Sequence, residues 1–144
     1  MYASVSDMVA RFGETQILRL SNPEDREAEE IGDLRVERHL ADATEVINSY
    51  IRGRYAVPIA SPPADIVRAT CIIALHDLAQ GERVSPSDEM EKNYKAVITW
   101  LEQIARELIN IDAPPAEGGG ANPGTGARMS DRPRTFAYDT LRGM

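Results

Sequence analysis

The sequence predicts an all-α body, a small bundle of about four helices, with an extended C-terminal tail. Three observations predict it. Through most of residues 1–112, apolar residues recur at steps of three and four, the mark of helices that bury one face. Alternation with period two, the mark of a half-buried strand, is sustained only over the last few residues. After Asp112 the helical pattern stops. A stretch of Pro, Gly, Ala and Asn then runs from Ala113 to Arg128, and the chain closes with RTFAYDTLRGM. The expected organisation is a helical body over 1–112, a Gly/Pro-rich flexible linker over 113–128 and a docking tail over 129–144.

Ser4 opens the first helix, and Ser4-x-x-Asp7 has the capping-box spacing. Val5, Met8, Val9 and Phe12 form one apolar side, and Gly13 is placed to end the helix. Glu14 to Leu20 adds a further turn or two, with Ile17, Leu18 and Leu20 facing inward. SNPEDREAEE is polar, contains Pro23 and reads as a loop. A second main helix is expected from near Asp33 to about Tyr55, with Leu34, Leu40, Ala43, Ile47, Tyr50 and Ile51 on its apolar face. Pro58, Pro62 and Pro63 then break the chain, because proline lacks the donor and pushes the preceding residue out of helix.

A third helix begins around Pro63 and ends by Gly81. Ile66, Val67, Thr70, Cys71, Ile73, Ala74, Leu75 and Leu78 make it apolar over more than half its circumference, so it is expected to be the most buried. Ser85 or Ser87 caps a fourth. There Met90, Tyr94, Val97, Leu101, Ile104, Leu108 and Ile111 alternate steps of four and three, a heptad seam on a helix roughly 35–40 Å long. Packed within the chain, this seam faces helices two and three. Ile98, Trp100 and Ile109 lie off it and offer a contact to a neighbouring copy.

Charge bounds the partners. The net charge is −7, and its distribution is uneven: 12 Lys/Arg against 20 Asp/Glu up to Asp112 leave −8, while 4 against 3 beyond it leave +1. A body this acidic is repelled by phosphate, so DNA is expected to slide past without specific binding. Cys71 is the single cysteine and sits in the apolar run ATCIIAL, where a buried, inert thiol is expected. No run approaches 18 apolar residues and no basic-then-apolar segment opens the chain, so neither a membrane span nor a signal peptide is expected.

Catalytic and metal constellations are not expected. His39 sits among charged residues and His76 follows the apolar run. His76 and Asp77 point apart on a helix, and Cys71 and His76 are five residues apart, off a shared face. EDREAEE reads as a solvated charge run without EF-hand spacing. No nucleophile elbow or phosphate-binding glycine loop occurs, and the glycines at 118–120 read as linker. The expectation is therefore no enzyme activity, no metal and no cofactor. GRYAVPIASPP, from Gly53 to Pro63, is read in two ways. It is a helix end with a packed connector, or a subunit contact in which Arg52 or Arg54 meets the acidic face of a neighbour. Arg52, Arg54, Tyr55 and Trp100 are the candidate interface residues.

MYASVSDMVARFGETQILRLSN, then LADATEVINSYIRGRYAVPIASPPADIVRATCIIALHDL, then EKNYKAVITWLEQIA resemble the Mu-like phage and prophage family of small head–tail connector (adaptor) proteins. The similarity covers most of residues 1–112. Its distinctive parts are Tyr2 to Gly13, the Y-I-x-G-R-Y-x-x-P block from Tyr50 to Pro58, and Tyr94 to Leu101. RTFAYDTLRGM also resembles the family's arginine–aromatic–Asp–Leu–Gly ending, whereas the long glycine-rich spacer departs from the shorter members. The resemblance implies a helical subunit of a homo-oligomeric ring, a dodecamer, beneath the portal protein in the virion neck. It implies synthesis in the bacterial host cytoplasm, retention of packaged DNA and a surface for the stopper or tail-completion protein. A stopper or tail-completion role, or a non-viral helical binding module, are the alternative readings.

The implied portal-docking residues are Arg134, Phe136, Tyr138, Asp139 and Leu141. An extended 113–144 reaches up to ~100 Å at ~3.3 Å per residue. As a strand it points Phe136, Tyr138 and Thr140 one way and Ala137, Asp139 and Leu141 the other, suited to addition at a sheet edge. Burying Phe136, Tyr138 and Leu141 contributes roughly 5–8 kcal/mol gross. Ordering the backbone costs about 10 kcal/mol, only partly offset by new hydrogen bonds. One tail therefore binds weakly, and many on one ring bind firmly.

Overall fold

Ser4 sets the first helix. In the computed structural model, which describes residues 1–81 and 84–116, its hydroxyl accepts from the Asp7 N–H at 3.3 Å and the Asp7 carboxylate accepts from the Ser4 N–H at 2.8 Å. This is the capping box the spacing predicts. Helix α1 (Val5–Phe12) ends where the Gly13 N–H donates to the Val9 carbonyl at 2.9 Å. Gly13 has φ +87°, a conformation that L side chains avoid. The chain turns there into a separate helix, α2 (Glu14–Ser21), so the described body holds five helices. The expected further turn or two is an element of its own.

The polar loop that follows is tied back to α2. Asn22 Nδ2 donates to the carbonyls of Leu18 and Glu30 at 3.1 and 2.8 Å, and the Gly32 N–H donates to Ser21 Oγ at 3.0 Å. Helix α3 (Asp33–Ile51) then buries Val36, Leu40, Ala43, Ile47 and Ile51. Two expectations for this helix are corrected. It stops at Ile51, four residues short of Tyr55, where the N–H groups of Arg54 and Tyr55 both turn back to the Ile51 carbonyl. Leu34 does not face inward: it is 84% exposed, because the buried stripe starts at Val36 and Leu34 lies off it in the first turn.

Helix α4 (Ala64–Ala79) is the central element, with ten of its sixteen residues buried, as its near-continuous apolar surface predicts. It packs between α3 and α5 (Asp88–Ala105), while α1 and α2 lie together across α3 and α4. His76 near the end of α4 stacks on Tyr94 near the start of α5, so these two helices run antiparallel. Arg54 just after α3 reaches Ile104 at the end of α5, so α3 and α5 point the same way. The end of α3, the start of α4 and the end of α5 thus share one end of the bundle.

The fourth expected helix is also corrected. Its seam holds through Leu101 and Ile104, both buried, but the helix ends at Ala105. The Glu107 N–H donates to the Ile104 carbonyl at 3.0 Å and the Leu108 N–H to the Gln103 carbonyl at 2.9 Å. These are the paired bonds of a Schellman stop, with Glu107 at φ +65° where glycine is usual. Leu108, expected on the seam, is 72% exposed. Among the described residues every buried side-chain nitrogen or oxygen has a hydrogen-bond partner.

Candidate functional site

The shared end of the bundle holds the segment where the C-terminal region leaves the body. The Ala56 N–H donates to the Pro114 carbonyl at 2.9 Å, and the Ala116 N–H donates to the Arg54 carbonyl at 3.0 Å. Tyr55 and Pro115 therefore face each other in an isolated antiparallel bridge. Pro114 and Ala116, within the stretch expected to be a flexible linker, are thus bonded to the body.

Arg54 fixes this root. Its guanidinium donates to the carbonyls of Ile104 and Ile109, the latter at 2.9 Å, and to Asn110 Oδ1 at 2.6 Å. It lies 5.2 Å from the centre of the Tyr55 ring. The helix end presents carbonyls without intrahelical partners, and a planar donor fork suits them. Tyr55 is buried, and its hydroxyl accepts from the Ile111 N–H at 3.0 Å. Arg54 and Tyr55 are thus engaged within their own chain. Arg52 is exposed, with Nε donating at 3.4 Å to the Asn48 carbonyl of its own helix.

Trp100 is not part of that cluster. Half-buried on α5, it lines a groove of about 280 Å³ between α4 and α5 with Asp65, Arg68, Ile72, Ala96 and Val97. The tail residues Arg134, Phe136, Tyr138, Asp139 and Leu141 lie outside the described residues.

Two polar centres carry no catalytic signature in sequence and emerge only in three dimensions. The Tyr2 N–H donates to Thr44 Oγ1 at 3.2 Å; its buried hydroxyl bonds to Asn48 Oδ1 and accepts from the Ile59 N–H at 3.0 Å. Burial pushes the Tyr2 phenol above its ordinary value, against the lowering by the Ile59 bond. Tyr2 therefore clamps α3 to the α3–α4 connector, at the same end as Arg54. The second centre is His76, buried, with its ring stacked on Tyr94 at 4.0 Å between centroids. The two rings sit on different helices joined by a loop, so sequence spacing could not pair them.

Burial raises the Cys71 thiol to about 11, which keeps it protonated and unreactive. Among the described residues no group of three or more His, Cys, Asp or Glu converges as a metal site, and no helix is long and apolar enough to cross a membrane.

Comparison with known sequences places the chain among proteins of phages and prophages. It matches the family described as Bacteriophage Mu, Gp36 over residues 2–130 and belongs to that family. Gene product J of Escherichia phage Mu is 29% identical over 103 residues, which are 72% of this chain and 70% of that one. The Mu-like prophage FluMu protein gp36 of Haemophilus influenzae is 33% identical over 85 residues, 59% of this chain and 58% of that one. The family match stops at residue 130, so RTFAYDTLRGM lies beyond it.

Proposed function

We propose that this phage protein is a head–tail connector: an adaptor subunit that forms a homo-oligomeric ring, a dodecamer, below the portal protein in the virion neck. The body is a rigid collar segment. The C-terminal tail docks on the portal, the opposite face receives a stopper or tail-completion protein, and DNA passes through the acidic lumen without specific binding.

The observation that carries this reading is the root of the tail. An anchor on a ring works by multiplicity only if each copy presents it from the same place. Here the departing chain is held by two backbone bonds to the α3–α4 connector and by Arg54 on the end of α5. The acidic body and membership in a phage family agree with it.

Deleting residues 129–144 tests it. The truncated protein is expected to keep the helical circular dichroism of the intact chain and to lose co-sedimentation with portal-bearing heads. Normal co-sedimentation of the truncated protein sinks the tail assignment.

A further inference from the structure

The α4–α5 groove stands apart from the tail root and takes no part in holding it. Ile72, Ala96, Val97 and Trp100 give it an apolar floor, and Asp65 and Arg68 stand on its rim. Among the described residues neither rim charge makes an ion pair. A half-buried tryptophan beside a small alanine, with one charge of each sign above, suits a short peptide that carries aromatic and charged side chains.

We propose that residues Arg134–Leu141 occupy this groove in the free subunit, each tail on its own chain. The claim concerns the unassembled protein and does not rest on the connector reading.

Placement comes first. Asp65 is in the first turn of α4 and Trp100 is one turn before Ile104, so the groove opens at the end of the bundle from which the C-terminal chain departs. A Gly-rich spacer such as 117–133 spans about 23 Å r.m.s.. The stretch of α5 from Asn93 to Trp100 is about 10 Å long, so the segment reaches the whole groove. At that separation the effective concentration lies in the millimolar range, enough for a contact too weak to persist between separate molecules.

Charge and chemistry select this occupant over a second copy. Two bodies of −8 repel, whereas Arg134–Leu141, with one Arg and one Asp, carries no net charge and meets no such repulsion. Phe136 and Tyr138 supply rings for Trp100, Arg134 supplies a cation for that ring or for Asp65, and Asp139 supplies a partner for Arg68. A tail seated this way hides its aromatic side chains until a stronger site competes for them.

Trp100 is the chain's single tryptophan and reports on the groove directly. Acrylamide quenching of its fluorescence is compared for the intact chain and for residues 1–128 at low protein concentration. Truncation is expected to raise the quenching constant roughly twofold, the effect of losing a tethered ligand at millimolar effective concentration. A peptide of residues 129–144 added to the truncated body is expected to restore protection. Ala96→Arg, which fills the groove, and the paired Phe136→Ser and Tyr138→Ser in the tail are each expected to match the truncation in the full chain. Equal quenching of intact and truncated protein overturns the proposal. So does protection that grows with protein concentration, which places the tail on a second copy. No portal is present, so the outcome is separate from that of the head-binding experiment.

Discussion

The guanidinium of Arg54 donates to three acceptors between Ile104 and Asn110, some fifty residues further along the chain. Arg54→Lys keeps the charge and loses the fork, so the Ile109 carbonyl or Asn110 Oδ1 is left without its donor. The expected cost is about 1–3 kcal/mol, read as a lower urea midpoint with unchanged slope. The sequence singles out Arg54 and offers two uses for it. Choosing between them takes knowledge of what lies across a long loop, which spacing does not carry. The partners of Tyr2 and His76 escape for the same reason: each lies on another element, across a loop. His39 adds a pH dependence. Burial, with Arg35 beside it, holds its pKa below the ordinary 6.5. Between that lowered value and 6.5 the unfolded chain binds more protons than the folded one, so stability is complete above 6.5 and falls as pH drops through the window. His39→Gln is expected to flatten that decline in urea midpoints measured across it.

At the scale of elements, periodicity finds helices and misplaces their ends. The apolar stripes of α1, α4 and most of α5 are legible because burial enforces the 3.6-residue repeat. The heptad seam runs on through Leu108 and Ile111 in the sequence, but the helix stops at Ala105 because Glu107 takes the left-handed conformation. Spacing cannot see that, since glutamate gives no stop signal where glycine would. Glu107→Gly removes the side-chain strain at φ +65° while keeping both closing bonds. It is expected to stabilise the body by up to about 1 kcal/mol in thermal unfolding. A large loss of stability in that variant contradicts the strain assignment. Leu34 carries the opposite lesson: two residues off the buried stripe, its hydrophobicity says nothing about its side of the helix.

For the whole molecule, the division of charge and the turn from helical pattern to Pro/Gly-rich chain are both plain in the sequence. The bundle of about four helices follows from the stripes, with α2 the added element, whereas the root of the tail does not, because Pro114–Ala116 shares the Pro/Ala composition of the stretch that follows. The connector reading predicts that native mass spectrometry of the protein mixed with portal gives a closed multimer, and that a single bound copy does not occur. A lone copy at saturation contradicts the ring.

The two bonds between 54–56 and 114–116 also decide what tension does. A pull on the C-terminus is met first by those bonds and by the α3–α4 connector, while Ile109, Asn110 and Ile111 behind them are held by Arg54 and Tyr55. The arrangement works like the clamp where a cable enters its housing. Load is shared at that point between the end of α3 and, through Arg54, the end of α5, so it is not carried by the seam of α5 alone.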